Sequence, residues 1–600
     1  MSTLSRPVEP SSSPTYDRNF DELRSRYQEE RAKRIRAVGP DQYRVLQDGS
    51  TYLADPFEIE TAPRDAVTKT TDVAIIGGGF AGLLAAIEML GRDVADITII
   101  EKASEFGGVW YWNRYPGVRC DTEAYMYLPR LEETGYVPPE RYARGDTILQ
   151  YLGGLAERYN LYEKALLSTR VTHAEWVGDR ERWEIRTDHG DIISARYLIV
   201  GTGGLLHRPK LPEIDGIDTF EGTAFHSSRW NYAYTGGDVS GDMRNLRDKK
   251  VALVGTGASA IQAAPHLAED AAHLYVVQRT PSAIDIRANQ PTNSDWFARL
   301  EPGWQERRAI NFELLLAGVP QDHDEVGDQW TQIWKMPDLS AATSREELSE
   351  IVEAFDFGQM ERIRRRIDEI VKDPSVAEAL KPYYNSRCKR PCFNDEYLPT
   401  FNRRNVTLLD TNGRGLDAMT PRGIVVNGTE YAVDCVVFAT GFEAAVSPGT
   451  TGGFDILGRT GERLSERWSR DAVSVHGMCV DGFPNFFALG NVRQGSVTIN
   501  APYTTATQAA HVAELVSSLK NRDIDVLEVS ADEVMEWQET LRSQSRFDEK
   551  AVRSCTPGYY TNEGDLDSVV PLFASAYGAG IASYRQALAD WRKTTLDRVT

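Results

Sequence analysis

Apolar residues in this chain fall into short unbroken runs rather than long alternations. Val73-Ala-Ile-Ile76 leads into the glycine cluster Gly77-Gly78-Gly79-Phe80-Ala81-Gly82, a stretch of small and apolar residues to Leu90, and then Ile97-Thr-Ile-Ile100 with Glu101. Apolar runs of about four to eight residues bounded by turn residues predict strands buried on both faces of a parallel sheet, and the stretch between them predicts a helix. The same order returns at Val251-Ala-Leu-Val254, Gly255-Thr256-Gly257-Ala258-Ser259-Ala260, a helical stretch, and Leu274-Tyr-Val-Val277 followed by Gln278-Arg279. Two further runs, from Arg196 to Thr202-Gly203 and from Asp434 to Thr440-Gly441, both end in Thr-Gly. The expectation is an α/β fold with two Rossmann-like dinucleotide-binding domains, the second inserted in the first. Its parts would be an N-terminal extension over 1–71, a discontinuous first domain over 72–228 and 400–600, and a second domain over 229–399 with a helical insert at about 296–380.

The two glycine turns end differently, and the difference predicts their ligands. In such a turn the first glycine (Gly77, Gly255) bends the chain, the second (Gly79, Gly257) lets backbone approach a pyrophosphate, and the third position (Gly82, Ala260) lets helix pack on strand. The pyrophosphate rests on the helix N-terminus, where Thr256, Ser259 and Gln262 are also placed to assist in the second unit. An acid at the end of the following strand holds a ribose hydroxyl, so Glu101 predicts an adenine dinucleotide with a free ribose; an arginine there accommodates a 2′-phosphate, so Arg279 predicts NADP.

Composition narrows the class. The chain has 600 residues, 41% of them hydrophobic, enough for two or three cores, and its net charge of -21 disfavours nucleic acid and anionic membranes as partners. No apolar run is long enough to cross a bilayer, and six scattered cysteines predict a cytoplasmic protein with reduced thiols. Cys388 and Cys392 lack a second ligand pair, so no metal site is expected, and without a C-x-x-C there is no reductase dithiol. Asp17 to Val38 reads as a solvent-exposed charged helix, and the basic run from Glu361 to Arg366 as a solvated helix face.

Two further motifs carry a family resemblance. Gly107-Gly108-Val-Trp110-Tyr-Trp112-Asn-Arg114-Tyr115-Pro116-Gly117-Val-Arg119-Cys120-Asp121 fits G-G-x-W-x-x-x-x-Y-P-G-x-x-x-D, and Phe220-Glu-Gly222-Thr-Ala-Phe-His226-Ser-Ser-Arg-Trp230 fits F-x-G-x-x-x-H-x-x-x-W. In order with the two glycine turns, these resemble the signatures of the Baeyer–Villiger monooxygenases. Asn231 stands where the family pattern has proline or aspartate.

The resemblance implies FAD, NADPH and O₂, and insertion of an oxygen atom beside a ketone carbonyl to give an ester or lactone through a C4a-peroxyflavin. An anionic peroxide needs a fixed cation and a pocket that excludes water. Arg390, in Ser386-Arg-Cys388-Lys389-Arg390-Pro391, matches the family's active-site arginine, and Asp121 matches the carboxylate that pairs with it. Lys389, with Arg279 and Thr280, matches the residues that hold the 2′-phosphate. Neighbours on an extended segment point oppositely, so Lys389 and Arg390 can serve different sites. Gly108, Trp110, Asp121 and Tyr127 are further flavin candidates; Trp110, Trp112 and Tyr115 either wall the flavin or pack as core. His226 reads as a linker histidine satisfied by hydrogen bonds rather than a base.

Ser554 to Gly564 and Tyr577-Gly578-Ala579-Gly580, together with the long extension, resemble the subgroup acting on large cyclic ketones and steroids, such as the cyclopentadecanone and steroid monooxygenases. Two alternatives stand beside ketone oxygenation: a related flavin monooxygenase acting on nitrogen or sulfur, and a redox-sensing protein without turnover. The ketone and the oligomeric state stay open.

Overall fold

In the computed structural model, residues 20–598 are described except 48, 60–63, 204–205, 207, 335–343, 444–451, 491–492, 497, 546–547 and 572–573. Both glycine turns lie where the apolar runs place them. In the first sheet the strands 165–166, 97–100, 68–76, 192–200 and 486–488 run parallel in that spatial order. An antiparallel meander, Val171–Val177 and Arg182–Thr187, extends the sheet from Ile192–Val200. The second sheet is wholly parallel, in the order 406–410, 273–278, 250–254, 435–438 and 223–226.

This order corrects two expected boundaries. The Cys435–Phe438 strand, read as a resumption of the first domain, pairs instead with Val251–Val254 of the second sheet. The Thr223–His226 strand, placed before the boundary at 228, forms that sheet's edge. Pairing with the first sheet resumes at Ile456–Leu457 and Phe486–Ala488, not near residue 400. Each Thr-Gly run therefore lies beside a glycine turn, and each pair of strand ends opens the crevice in which α/β sheets bind ligands.

The helix Phe80–Leu90 is buried on almost every side between its sheet and the helix Ala501–Asn521. A Cβ on Gly82 would lie 1.8 Å from the Gly77 carbonyl oxygen, so only glycine lets the helix sit this close to the turn that feeds it. The helices Trp304–Leu316, Gln329–Trp334, Arg345–Ile370 and Pro374–Leu380 occupy the insert. One apolar core runs through both units, from Val73 and Ile75 to Val251 and Leu253.

Two charged segments expected to face solvent are docked. Phe20–Ala32 is a helix, but Phe20 and Tyr27 pack on Phe357, and Arg24 pairs with Glu353. In the basic run, the Arg364 side chain is only 4% exposed and donates to Tyr27 Oη and the Pro382 carbonyl, while Arg362 pairs with buried Asp285. Buried guanidinium groups require such partners. The expectation of reduced thiols fails for one pair: Cys388 and Cys555 form a disulfide, whereas Cys120, Cys392, Cys435 and Cys479 are free and buried. Among the described residues no helix is long and apolar enough to cross a membrane, and no group of three or more His, Cys, Asp or Glu side chains is arranged to hold a metal.

Candidate active site

At the first turn Gly77 adopts a φ of 109°, and at the second Gly255 adopts 118°, the same left-handed bend at the end of a central strand. An added Cβ on Gly257 would meet nothing within 4 Å, so space is open beside this helix start, as a pyrophosphate cradle requires. Gly79 and Gly108 touch backbone to backbone, which brings the G-G-x-W motif against the first turn.

Glu101 is 5% exposed, and its carboxylate accepts from the Gly78 and Ala103 N–H groups at 2.5 and 2.7 Å. It thus stands at the turn itself, fixed in orientation, with burial raising its carboxyl against those bonds. Trp110 donates to Tyr127 Oη at 3.1 Å, and Tyr127 meets Phe80 edge to face, an aromatic wall beside Gly79. Trp112 lies apart from this wall, beneath the Lys102 and Arg229 cations at 5.1 and 4.0 Å.

The segment Ser386 to Cys392 carries the two expected cations in opposite directions. Arg390 donates from Nε to Asp121 Oδ2 at 2.9 Å and from Nη2 to Oδ1 at 2.7 Å, a bidentate fork, while 32% of its side chain stays open. Burial opposes its charge, but Asp121 prevails and holds the guanidinium protonated far above the physiological range. Trp330, from the insert, lies under Arg390 at 5.1 Å and donates Nε1 to the Asp121 carbonyl at 2.7 Å. Tyr559 and Tyr560 of the C-terminal loop flank the same guanidinium, and buried Arg287 adds a second positive charge near Asp121.

Lys389 turns the other way, donating Nζ to the Pro557 carbonyl at 3.1 Å; burial, then Arg279, lowers its ammonium to about 7. Arg279 is held by Gln42 Oε1 at 2.9 Å, Tyr43 Oη at 2.7 Å and Glu563 Oε2 at 3.1 Å. Thr280 accepts from Arg34 Nε at 3.0 Å, and Thr256 donates to the Thr280 carbonyl at 2.6 Å. Arg279, Thr280 and Lys389 therefore gather around one basic cluster, to which the N-terminal extension contributes Arg34, Gln42 and Tyr43. Gln262 does not open toward this cluster; it exchanges hydrogen bonds with the Arg119 backbone at 2.9 and 3.3 Å and ties the two units together. Ser259 lies near Tyr115 on the same seam.

The linker motif packs as structure. Trp230 is fully buried, donates to Thr235 Oγ1 at 3.2 Å and meets Phe225 edge to face; a tryptophan so buried contributes about 3–5 kcal/mol relative to alanine. Gly222 is crowded by the Phe220 ring and the Asp434 carbonyl. Burial, followed by Arg229, lowers the His226 imidazole to about 3, and its Nδ1 accepts from the Ser228 N–H, so it is neutral at pH 7 and too weak a base to take a proton there. Asn231 caps the turn Tyr232–Thr235 by accepting from the Tyr234 N–H at 3.0 Å, as aspartate could.

The sequence reading missed Trp330, Arg287, Lys210, Tyr43 and Glu563. Each reaches the site from a distant segment, and nothing in local spacing marks it.

Comparison with known proteins agrees with this geometry. Residues 74–313 match the family model described as pyridine nucleotide-disulphide oxidoreductase. The chain is 45% identical to neopentalenolactone D synthase of Streptomyces avermitilis, covering 96% of this chain and 98% of that one. It is 41% identical to a Baeyer–Villiger monooxygenase of Stachybotrys chlorohalonatus, covering 96% and 93%. Among solved structures, the polycyclic ketone monooxygenase of the fungus Thermothelomyces thermophila superposes with a TM-score of 0.87 at 34% identity, covering 96% of this chain and 98% of that one. An oxidized steroid monooxygenase bound to NADP superposes at 0.72 and 30% identity, covering 88% and 98%. With two glycine turns, the linker motif and a fork-bound arginine in one fold, and relatives aligned over nearly the whole length, the chain belongs to the Baeyer–Villiger monooxygenases.

Proposed function

We propose that this protein uses NADPH and O₂ to convert a bulky fused-ring ketone into a lactone, with FAD at the first glycine turn and the coenzyme at the second. The observation that carries the reading is the Arg390–Asp121 fork, a fixed cation held 32% open beside Trp330. Bound FAD would accept hydride from the coenzyme and activate dioxygen. Gly77 and Gly79 would admit its pyrophosphate, Gly82 would let the helix pack on the strand, Glu101 would hold its ribose, and Gly108 and the Trp110–Tyr127 wall would line its approach. Gly255, Thr256 and Gly257 would hold the coenzyme pyrophosphate, and Arg279, Thr280 and Lys389 its 2′-phosphate. Arg390 would stabilise negative charge as oxygen reaches the ketone, and Asp121 would keep the guanidinium in place without taking its proton. A fused-ring, polycyclic substrate is supported by the likeness to the polycyclic ketone monooxygenase.

The test is mass analysis of products from small-ring, macrocyclic, steroid and fused-ring ketones, with amines and thioethers alongside, under NADPH. Lactones from the fused-ring group are expected. Oxygenated amines or thioethers with every ketone untouched would overturn the reading.

A further inference from the structure

The basic cluster around Arg279 already contains an anion. Glu563, 5% exposed, accepts from Lys210 Nζ at Oε1, 2.8 Å away, and from Arg279 Nη2 at Oε2, 3.1 Å away. Burial alone would raise its carboxyl, yet Lys210 and Arg279, with Lys389 behind them, bring it down to about 2, so it is ionised throughout the working range. The backbone is bent to deliver it: Asn562 and Glu563 take successive left-handed φ values of 45° and 56°, a conformation side chains disfavour and which persists only where surroundings impose it. The same loop offers the Pro557 carbonyl to Lys389 Nζ. Three cations, Lys210, Arg279 and Lys389, are thus gathered by one loop around one carboxylate.

We propose that Glu563 is a coenzyme-specificity residue whose carboxylate stands in for the 2′-phosphate and competes with it for Arg279. The inference rests on the assignment of Arg279 and Lys389 to that phosphate. A dianionic phosphate offers the guanidinium more charge and more acceptors than a carboxylate does and takes Arg279 from Glu563. A coenzyme lacking the phosphate leaves the Arg279–Glu563 pair intact. Glu563 therefore lowers the affinity for NADPH more than for NADH, and its release frees the loop that also carries Tyr559 and Tyr560.

Glu563→Gln removes the charge and keeps the shape. Calorimetric titration of the flavin-loaded protein with 2′,5′-ADP and with 5′-AMP is expected to show the variant binding 2′,5′-ADP about tenfold tighter, with 5′-AMP unchanged within about twofold. In the unaltered protein, hydrogen exchange across 555–564 is expected to quicken with 2′,5′-ADP and not with 5′-AMP, a readout independent of whether the variant folds. Weaker or equal binding of 2′,5′-ADP by Glu563→Gln, or a loop that 2′,5′-ADP leaves unchanged or protects, overturns the proposal. Arg279→Ala separates the two readings. If it still prefers 2′,5′-ADP, the phosphate assignment falls and this inference with it; if the preference is lost while Glu563→Gln binds no tighter, only the inference falls.

Discussion

Replacing Asp121 by asparagine keeps the side chain's outline but removes the charge that holds Arg390. The fork consists of bonds of 2.7 and 2.9 Å between opposite charges. A charge-assisted bond of this kind contributes about 1.5–3 kcal/mol, so two sum to roughly 3–6 kcal/mol before screening. The Arg390 side chain is 32% open and that of Asp121 16%, so solvent reduces the total. The amide oxygen also still accepts one bond, and a loss of about 2 kcal/mol in oriented charge is expected, close to 30-fold in rate. The consequence belongs to oxygen transfer, because reduction by NADPH draws on the other cation cluster. Anaerobic flavin bleaching by NADPH should therefore stay within about threefold of normal in Asp121→Asn, while lactone formed per NADPH consumed falls about 30-fold. Arg390→Ala should lower lactone at least as far as Asp121→Asn does, with reduction preserved, and adding Asp121→Asn to it should cost nothing further, because the pair acts as a unit. Lactone formation by Asp121→Asn within about threefold of normal, or losses that add in the double variant, would refute the reasoning.

The other expectations draw on titration and covalent structure. Burial and Arg279 lower Lys389 to about 7, so in the free protein it loses its charge as pH rises through that value, whereas a bound 2′-phosphate favours the charged form. Affinity for NADP should accordingly fall from pH 7 to about pH 9, and Lys389→Arg, charged throughout, should flatten the profile; a flat profile in the unaltered protein contradicts this. The disulfide closes a sequence separation of 167, for which chain entropy gives an upper value of about 5 kcal/mol, so the Cys388→Ser/Cys555→Ser variant should melt several degrees lower and be cut sooner in the loop at 555–564, and equal melting and proteolysis would deny the bond that role. His226, lowered to about 3 chiefly by burial, carries no proton to be titrated near neutrality, so His226→Gln should leave the pH profile of lactone formation in place, and a shifted acidic limb would return it to the chemistry.

What the sequence made legible was local. Val73–Ile76 and Val251–Val254 announce buried strands by unbroken apolar runs, and the glycines after them admit the bends that Gly77 and Gly255 adopt. Lys389 and Arg390 were separable because neighbours on an extended segment diverge, and they do. The sheet joined by Cys435–Phe438 was not legible, because its apolar pattern suits either sheet and the choice is made by pairing with residues nearly two hundred positions away. Arg364 looked solvated because a charged helix face carries no mark of what docks on it; Tyr27 and the Pro382 carbonyl supply the burial. Cys388 and Cys555 gave no signal for the same reason.

The position of the C-terminal loop constrains how the two cation sites communicate. Cys555 is bonded to Cys388, one residue before Lys389 and two before Arg390, so the start of the loop is fixed to the segment that carries both cations. Pro557 then meets Lys389, Tyr559 and Tyr560 meet Arg390, and Glu563 meets Arg279 and Lys210. With one end anchored at Cys555, the two tyrosines lie in the chain between that anchor and Glu563. The tyrosines lie close to a guanidinium that is locked by Asp121. Coenzyme capture at Arg279 would therefore reset the surroundings of Arg390 without moving Arg390 itself. A cation that must stay in place while substrate enters beside it needs that separation of a fixed charge from a movable wall.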